Sequence, residues 1–246
     1  MPLALDRYAD NHDTGSFILI DPVTHATLAA GMVIETLEAA RDVHRHPTLV
    51  TAVDRARAKG QVPLVVWLTG LPSSGKSTIA NLVETRLHAL GHHCAILDGD
   101  ALRQGLNADL GFGPAARSEN VRRVGEVARL MAEAGLIVLV ALVSPFRADR
   151  DRVAARFPAG RFLEVFVDAP VEVCRARDPK GLYAKADSGR IVGFTGRDQP
   201  YEPPLAPALV LDTGREVPEI SAARLAELVH ARAVPIAANS FDSANL

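Results

Sequence analysis

Residues 70–78 of the chain are Gly70-Leu71-Pro72-Ser73-Ser74-Gly75-Lys76-Ser77-Thr78, which fits the pattern G-x-x-x-x-G-K-[ST] of a phosphate-binding loop. An apolar run, Leu64–Thr69, precedes this segment, and a helical pattern, Ser77–Leu90, follows it. The glycines let backbone amides face phosphate oxygens, and the helix N-terminus adds positive potential. We expect Lys76 to reach the β- and γ-phosphates and Ser77 to hold Mg²⁺. The segment therefore predicts a nucleoside triphosphate site.

Four more apolar runs follow, separated from one another by helical patterns. They are Cys94–Leu97, Leu136–Val143, Phe162–Val167 and Ala208–Leu211. Runs that do not alternate with polar residues are typical of strands buried on both faces. One of the helices between the strands is expected over Ser118–Ala134. The alternation of strands and helices predicts an α/β fold, the parallel sheet of a P-loop NTPase with helices on both faces.

Polar side chains follow most of these strands, at the sheet edge where α/β proteins bind ligands. Asp98 and Asp100 come directly after the second strand, and Ser144, Asp168 and Asp212 follow later ones. One of the two neighbouring carboxylates could bind metal-bound water while the other contacts an acceptor hydroxyl. The alternative for Asp100 is an N-cap of a short helix that begins at the next residue.

The composition narrows the class of protein. The chain has 246 residues, of which 48% are apolar and 23% charged, and its net charge is −2. These values predict a globular protein that does not bind nucleic acid, and no apolar run approaches the ~18 residues that span a bilayer. Two cysteines, Cys94 and Cys174, are too few for a disulfide framework, so we expect buried thiols and a cytoplasmic location.

The chain divides into a small N-terminal piece and a main domain. Strands are expected at Ser16–Asp21 and Ala26–Val33, so residues 1–45 are predicted to contain a β-hairpin extension with a helix or linker after it. Residues 46–62 are expected to form a linker or helix, residues 63–235 the P-loop domain, and residues 236–246 a tail. A guanine-reading Asn-Lys-x-Asp segment does not occur, which disfavours a GTPase switch protein.

The main domain resembles the adenylyl-sulfate (APS) kinase family over residues 63 to about 213. The matching blocks are Leu97-Asp98-Gly99-Asp100-x-x-Arg103-x-Gly105-Leu106-Asn107, Gly111-Phe112, Arg117-x-Glu119-Asn120-x-Arg122-Arg123, Ser144-Pro145-Phe146-Arg147, Arg177-Asp178-Pro179-Lys180-Gly181-Leu182-Tyr183, Gly193-Phe194-Thr195-Gly196 and Tyr201-Glu202-x-Pro204. The resemblance implies transfer of the γ-phosphate of ATP to the ribose 3′-hydroxyl of adenosine 5′-phosphosulfate (APS), which gives 3′-phosphoadenosine 5′-phosphosulfate (PAPS).

The resemblance also implies a role for individual residues. Catalysis would involve Lys76, Asp98, Asp100 and Ser144, and Mg²⁺ would be held by Ser77 and Asp98. ATP would be bound by Gly70 to Thr78, with Arg177 on its adenine. The two phenylalanines of the APS site would stack on its adenine, and its Lys180 and Gly193 would belong to a lid over residues 178–197. The full set of APS-binding residues would be Asp100, Arg103, Phe112, Arg117, Asn120, Val143, Ser144, Lys180, Gly193 and Phe194. The family is commonly dimeric, so a homodimer is expected.

Three positions need separate comment. Some descriptions of the family make the serine at Ser144 a phosphoserine intermediate, but P-loop kinases transfer phosphate in line to the acceptor, so we expect Ser144→Ala to retain activity. Asp187 stands where the family usually has a basic lid residue, and Arg197 where it usually has an apolar one. Both are expected to alter the electrostatics of the lid.

The N-terminal piece, Gly15–Asp21 with Thr27–Met32, is similar to the last strands of the GTPase subunit of ATP sulfurylase, which in some bacteria is fused ahead of an APS kinase. The resemblance implies that this chain is the carboxyl portion of such a fusion, or a descendant that lost its GTPase. It also implies that the chain has no GTP activity and that it associates with ATP sulfurylase. An unrelated hairpin is the alternative. We expect the hairpin to pack on the kinase domain or to pair across a dimer.

Two other functions compete with APS phosphorylation. One is a different small P-loop kinase of the gluconate or shikimate type, which would need contacts to a sugar or carboxylate and no pair of adenine-stacking phenylalanines. The other is a regulatory nucleotide-binding module without catalysis. The presence of Lys76, Ser77, Asp98 and Asp100 disfavours the second.

Overall fold

The computed structural model describes residues 9, 16–21, 24–32, 48–190 and 193–234. The chain divides into two compact units, residues 1–49 and residues 50–246. The helix or linker expected over residues 34–45 and the tail over 236–246 lie outside the described residues.

The first unit contains the expected antiparallel hairpin. Its strands are β1 (Ser16–Ile20) and β2 (Thr27–Met32). Phe17 lies opposite Gly31, and a Cβ atom added at Gly31 would lie 2.5 Å from Cζ of the Phe17 ring. A glycine is therefore needed at this position for the ring to lie across the neighbouring strand. The prediction of a hairpin is confirmed.

The second unit is built on a five-stranded sheet in which all neighbouring strands are parallel. Its strands are β3 (Val65–Thr69), β4 (Cys94–Asp98), β5 (Ile137–Ala141), β6 (Phe162–Asp168) and β7 (Leu209–Asp212), in the order β4-β5-β3-β6-β7. Every residue of the two central strands β3 and β5 is buried, which explains why both appear in the sequence as uninterrupted apolar runs. The predicted fold class is confirmed.

Helices cover the two faces of this sheet. The helices of this unit are α1 (Ala52–Lys59), α2 (Lys76–Ala89), α3 (Gly99–Arg103), α4 (Pro114–Glu133), α5 (Arg147–Ala154), α6 (Val171–Arg177), α7 (Leu182–Asp187) and α8 (Pro218–Ala233). Helices α2 and α8 share one apolar core with Val66 and Leu68 of β3, while α4 packs with Val65 and Trp67 in a second core. Alternate residues of one strand thus serve opposite faces. None of the helices in the described part of the chain is long and apolar enough to cross a membrane.

Two local predictions need correction. Helix α4 begins at Pro114, four residues before the predicted start, because proline is favoured in the first helical turn, where its missing N–H costs no hydrogen bond. Both cysteines are unpaired as expected, but Cys94 is only partly buried, whereas Cys174 is buried.

Candidate active site

A cavity of about 700 Å³ opens at the carboxyl ends of β3, β4 and β5. Most of the residues predicted for the site line it: Pro72, Ser73, Gly75, Lys76, Ser77, Thr78, Asp98, Asp100, Arg103, Phe112, Arg117, Asn120, Val143, Ser144, Arg177, Lys180 and Phe194. Four predicted residues do not line it: Gly70, Leu71, Ser74 and Gly193. The first three form the back of the phosphate loop, and Gly193 accepts a hydrogen bond from a lining arginine. The structure therefore brings most of the residues predicted for the donor and for the acceptor around one cavity.

The phosphate loop has a backbone that two glycines make accessible. Gly70 has φ +151°, and a Cβ atom there would lie 2.3 Å from the backbone oxygen of Val167. No larger residue fits between the loop and strand β6. Gly75 precedes α2 with φ +98°, a left-handed conformation that glycine adopts without steric cost. The loop thus enters α2 in a conformation that turns backbone amides toward the cavity.

Lys76 is the first residue of α2 and is buried. Its Nζ donates hydrogen bonds to the backbone oxygens of Gly70, at 3.0 Å, and Leu71, at 2.6 Å. Burial penalises the charged ammonium and lowers the pKa of Lys76 to about 8. An anion bound beside this nitrogen would reverse that penalty, so the loop carries a cation that phosphate oxygens would stabilise.

Ser77 and Asp98 meet beside the phosphate loop. Ser77 Oγ donates a hydrogen bond of 2.6 Å to Asp98 Oδ2, and Asp98 Oδ1 accepts from the backbone nitrogens of Asp100 and Ala101. Asp98 is therefore the N-cap of α3, so the alternative that gave this cap to Asp100 is wrong. The carboxylate of Asp100 is left to pair with Lys180 of the lid.

The donor set at Ser77 and Asp98 fits Mg²⁺. Both side chains offer oxygen atoms, which this ion prefers, and Mg²⁺ typically keeps several waters and takes one or two protein carboxylates together with substrate phosphates. The described residues contain no group of three or more His, Cys, Asp or Glu side chains that could hold a metal ion by themselves. A site completed by phosphate oxygens and water is the kind that this pair can form.

Two arginines mark the far end of the cavity. Arg103 Nη1 donates to the backbone oxygen of Leu110 at 3.0 Å, and its guanidinium lies 4.4 Å from the centre of the Phe112 ring. Arg117 Nε donates to the backbone oxygen of Phe112 at 2.9 Å, and its Nη2 donates to that of Gly193 at 3.0 Å. Burial lowers the pKa of both arginines, and for Arg117 the charge of Arg103 lowers it further. Two neighbouring, partly desolvated guanidinium groups favour a ligand with several negative charges.

The two phenylalanines predicted to stack on adenine have different surroundings. Phe112 is 50% exposed, whereas Phe194 is 6% exposed and packs edge-on against Tyr183, with ring centres 4.9 Å apart. Tyr183 in turn donates a hydrogen bond of 3.2 Å to the backbone oxygen of Pro72 in the phosphate loop. Tyr183, Ala186 and Phe194 of the lid thus share a small apolar cluster with Ala169 and Cys174, and Leu71 of the phosphate loop packs against it.

Ser144 lines the cavity, but its hydroxyl is bonded to two side chains of β3. Its side chain is buried, and its Oγ accepts a hydrogen bond from Trp67 Nε1 at 3.0 Å and donates one to Thr69 Oγ1 at 3.0 Å. Its backbone has φ +37°, and its carbonyl oxygen accepts from Arg150 Nη1 at 2.6 Å. The hydroxyl is thus engaged beneath the site and holds the end of β5 against β3.

Residues 62–212 of the chain match the family model of adenylylsulphate kinase. The chain belongs to this kinase family. Residues 1–34 match a second model, described as GTP-eEF1A C-terminal domain-like. The predicted resemblance is confirmed for the kinase family, and the second model agrees with the resemblance of the N-terminal piece to a GTPase subunit.

Individual relatives agree with this assignment. The bifunctional enzyme NodQ of Azospirillum brasilense is 56% identical over 233 residues, which cover 95% of this chain and 38% of NodQ. The adenylyl-sulfate kinase of Marinobacter nauticus is 55% identical over 170 residues, covering 69% of this chain and 85% of that one. The structure of the APS kinase CysC of Mycobacterium tuberculosis in complex with AMPPNP and APS matches with a TM-score of 0.65 at 47% identity, covering 68% of this chain and 98% of that one. The chain spans only 34–38% of the length of the first curated relatives that it matches.

In this APS kinase family member, the two unusual lid residues are each other's partners. Arg197 Nε lies 3.3 Å from Asp187 Oδ1, and Arg175 Nη1 lies 3.1 Å from Asp187 Oδ2. These two residues thus carry opposite charges within ion-pair distance of each other, and Arg197 also lies 3.5 Å from Asp198 Oδ2. The lid keeps an internal ion pair, which joins α7 to the segment after Phe194.

Three residues that support the site were not among the predicted site residues. Thr213 lines the cavity at the end of β7, and its Oγ1 donates to the backbone oxygen of Ser74 in the phosphate loop at 2.8 Å. Its backbone oxygen accepts from Arg177 Nη2 at 2.5 Å. The position of Thr213 directly after the apolar strand β7 was the feature of the sequence that could have indicated its place at the cavity. Thr69 and Trp67, which hold Ser144, carried no motif that could have marked them.

Proposed function

We propose that this chain transfers the γ-phosphate of ATP to the ribose 3′-hydroxyl of APS and releases PAPS and ADP, a step of sulfate assimilation. The observation that carries the proposal is the composition of one cavity: a phosphate loop at one end, and Arg103, Arg117 and Asn120 at the other. Its volume lies within the range of small-ligand sites. Membership of the APS kinase family supports the choice of acceptor.

At the donor end, Lys76 would hold the β- and γ-phosphates of ATP, and loop amides would hold the remaining oxygens. Ser77 and Asp98 would hold Mg²⁺, which when bound neutralises charge on the β- and γ-phosphate oxygens. Arg177, which donates to the backbone of Thr213 at the cavity wall, would pack on the adenine of ATP.

At the acceptor end, the carboxylate of Asp100 would take the proton of the ribose 3′-hydroxyl as that oxygen attacks the γ-phosphorus. In the structure, this carboxylate pairs with Lys180, so we propose that APS exchanges that partner for the hydroxyl. Arg103, Arg117 and Asn120 would bind the phosphosulfate and ribose, since guanidinium groups bond oxyanions in pairs.

Recognition of the adenine of APS would fall to aromatic faces and the lid. Phe112 is half exposed and would stack through the ring face that Arg103 does not cover, while Phe194 would present the side of its ring that Tyr183 leaves uncovered. Val143 and Ser144 would line this pocket, and Lys180 and Gly193 would close over it. Ser144 would act through its backbone, because its hydroxyl is bonded to Trp67 and Thr69.

The proposal is tested by ATP consumption with APS and with a panel of other acceptors that includes gluconate and shikimate. We expect Mg²⁺-dependent turnover with APS and chromatographic identification of PAPS as the product. Turnover only with gluconate or shikimate would identify a different small kinase. An absence of turnover with every acceptor, in a folded protein that binds ATP, would favour a regulatory nucleotide-binding module.

Assembly and location are further parts of the proposal. We propose a homodimer, as the family resemblance implies. We place it in the cytoplasm, which the two unpaired thiols support, and in association with ATP sulfurylase, which the similarity to bifunctional enzymes over most of this chain supports. Light scattering of the purified chain, alone and with ATP sulfurylase, tests both assemblies. A monomer at micromolar concentration would contradict the dimer.

A further inference from the structure

Asn107 is a fully buried residue next to the acceptor end of the cavity and is outside the set of site residues assigned above. It lies just after α3, where its backbone nitrogen donates to the oxygen of Leu102 at 2.9 Å and its oxygen accepts from Leu110 at 3.1 Å. These bonds satisfy its backbone. The side-chain amide is therefore the remaining polar group of Asn107 whose burial needs an explanation.

The side chain of Asn107 contacts Asn120 of α4. Nδ2 of Asn107 donates a hydrogen bond of 3.0 Å to Oδ1 of Asn120, and the contact is buried. Asn120 is 7% exposed and lines the cavity. Because the oxygen of Asn120 is oriented toward Asn107, the group that Asn120 can turn toward a ligand is its amide nitrogen, a hydrogen-bond donor.

The orientation of this amide matters for the charge of the ligand. An asparagine side chain can turn either its oxygen or its nitrogen toward a cavity, and the two choices differ little in shape. Arg103 and Arg117 line the same cavity and favour an anionic ligand. A donor at Asn120 adds to that preference, whereas an oxygen there would repel the anion.

This arrangement carries a cost in stability. Oδ1 of Asn107 is buried and has no hydrogen-bond partner among the residues that the structure describes. An unpaired buried amide oxygen is unfavourable, and an apolar side chain of similar shape would avoid it. An amide at a position where folding alone would favour leucine indicates a function in the site.

We infer that Asn107 is a positioning residue that fixes the amide of Asn120 with its nitrogen toward the acceptor pocket, and so sets the affinity for the anionic acceptor. The inference rests on the proposed function, which makes APS that acceptor. Asn107 itself does not line the cavity. Its effect is therefore confined to binding at one end of the cavity and leaves the phosphate loop unchanged.

The test compares Asn107→Leu and Asn107→Ala with the wild-type chain in steady-state assays with ATP and APS. Without a donor from position 107, Asn120 loses its fixed orientation, so we expect KM for APS to rise about tenfold. KM for ATP and kcat should stay within twofold of the wild type. The melting temperature of Asn107→Leu should stay close to that of the wild type, because removal of the unpaired Asn107 oxygen offsets the loss of the hydrogen bond to Asn120.

Two more variants make the test specific. Asp109→Asn is the matched control. Asp109 Oδ1 lies 2.7 Å from Arg123 Nη1, and this ion pair joins the same loop to α4. The variant weakens the ion pair but leaves the Asn107–Asn120 contact intact, so KM for APS should not change. Asn120→Asp keeps an oxygen for Asn107 but replaces the donor that faces the ligand. We expect it to fold normally and to raise KM for APS more than the Asn107 variants do.

The outcomes separate this inference from the proposed function. If the wild-type chain converts APS to PAPS but both Asn107 variants keep KM for APS within twofold, the inference is wrong and the proposed function stands. Parallel changes in kcat and both KM values, with a lower melting temperature, would also overturn it, since they indicate a purely structural role. Failure of the wild-type chain to use APS contradicts the proposed function first.

Discussion

The donor and acceptor ends of the cavity are built in different ways. The groups proposed to bind the donor come mostly from one continuous segment, the phosphate loop and the start of α2, as backbone amides and one lysine, with Asp98 and Arg177 added from β4 and α6. The acceptor end is assembled from side chains on α3, α4, the end of β5 and the lid. A ligand site made by consecutive backbone atoms depends on local conformation. A site made by distant side chains depends on the packing that holds each of them.

The largest expected effect is at the donor end. Lys76→Met removes the one buried cation of the phosphate loop, so kcat/KM should fall about 10³-fold, as for the loss of other preorganised charge stabilisation. The fold should be retained, because a buried ammonium whose pKa is already lowered contributes little to folding. Steady-state kinetics and thermal unfolding measure both. Lys59→Met, remote in α1, is the control, and residual activity above a tenth of the wild type would contradict the assigned role.

At the acceptor end, Arg117→Met should raise KM for APS by about 10- to 100-fold, the range expected for hydrogen bonds to a charged group. KM for ATP should change less than twofold, which distinguishes the two ends. Arg122→Met is a matched control on the same helix, because Arg122 pairs with Glu119 at the surface. Equal increases in both KM values would show that the two ends are not separable.

The pH dependence of ATP binding sharpens the comparison further. The pKa of Lys76 is lowered to about 8 by burial, and the protonated form binds phosphate. Below pH 8 the lysine is charged. Above pH 8 its charged fraction falls, so KM for ATP should rise by up to about tenfold per pH unit. Lys76→Arg should give a flatter profile, since arginine stays charged. A wild-type KM for ATP that is constant from pH 7 to 9 would exclude this titration.

Ser144→Ala should have a smaller effect. The variant leaves the indole N–H of Trp67 without its acceptor, so we expect the free energy of unfolding to fall by about 1 kcal/mol. Turnover should stay within about tenfold of the wild type, because the hydroxyl is already bonded to Trp67 and Thr69. Denaturant titration and kinetics test this. Complete loss of turnover, in a folded variant that binds APS, would instead support a phosphoserine intermediate.

The smallest effect is expected in the lid. Asp187 and Arg197 are 45% and 34% exposed, so their ion pair should contribute about 0.5 kcal/mol to the free energy of unfolding. A double-mutant cycle with Asp187→Ala, Arg197→Met and the double variant measures this coupling energy. A coupling energy of zero would mean that the two unusual residues do not compensate each other.

The same contrast explains what the sequence could predict. The five strands and the phosphate loop were predictable because β3 and β5 are buried throughout and the loop motif is local. The inward hydroxyl of Ser144 was not, since its partner Trp67 lies 77 residues away. The contact between Asn107 and Asn120 was missed for a related reason: two asparagines 13 residues apart form no recognisable pattern until α3 and α4 bring them together. The roles assigned to individual site residues stay predictions until the variants are measured.

Trp67 gives the acceptor end an optical signal of its own. It is the single tryptophan of the chain, it is fully buried, and its indole nitrogen is bonded to Ser144, whose neighbours Val143 and Pro145 line the cavity. Excitation selective for indole will therefore report one environment, at the floor of the acceptor pocket. We expect quenching or a shift of its emission when APS is titrated in, so that binding can be followed without a label.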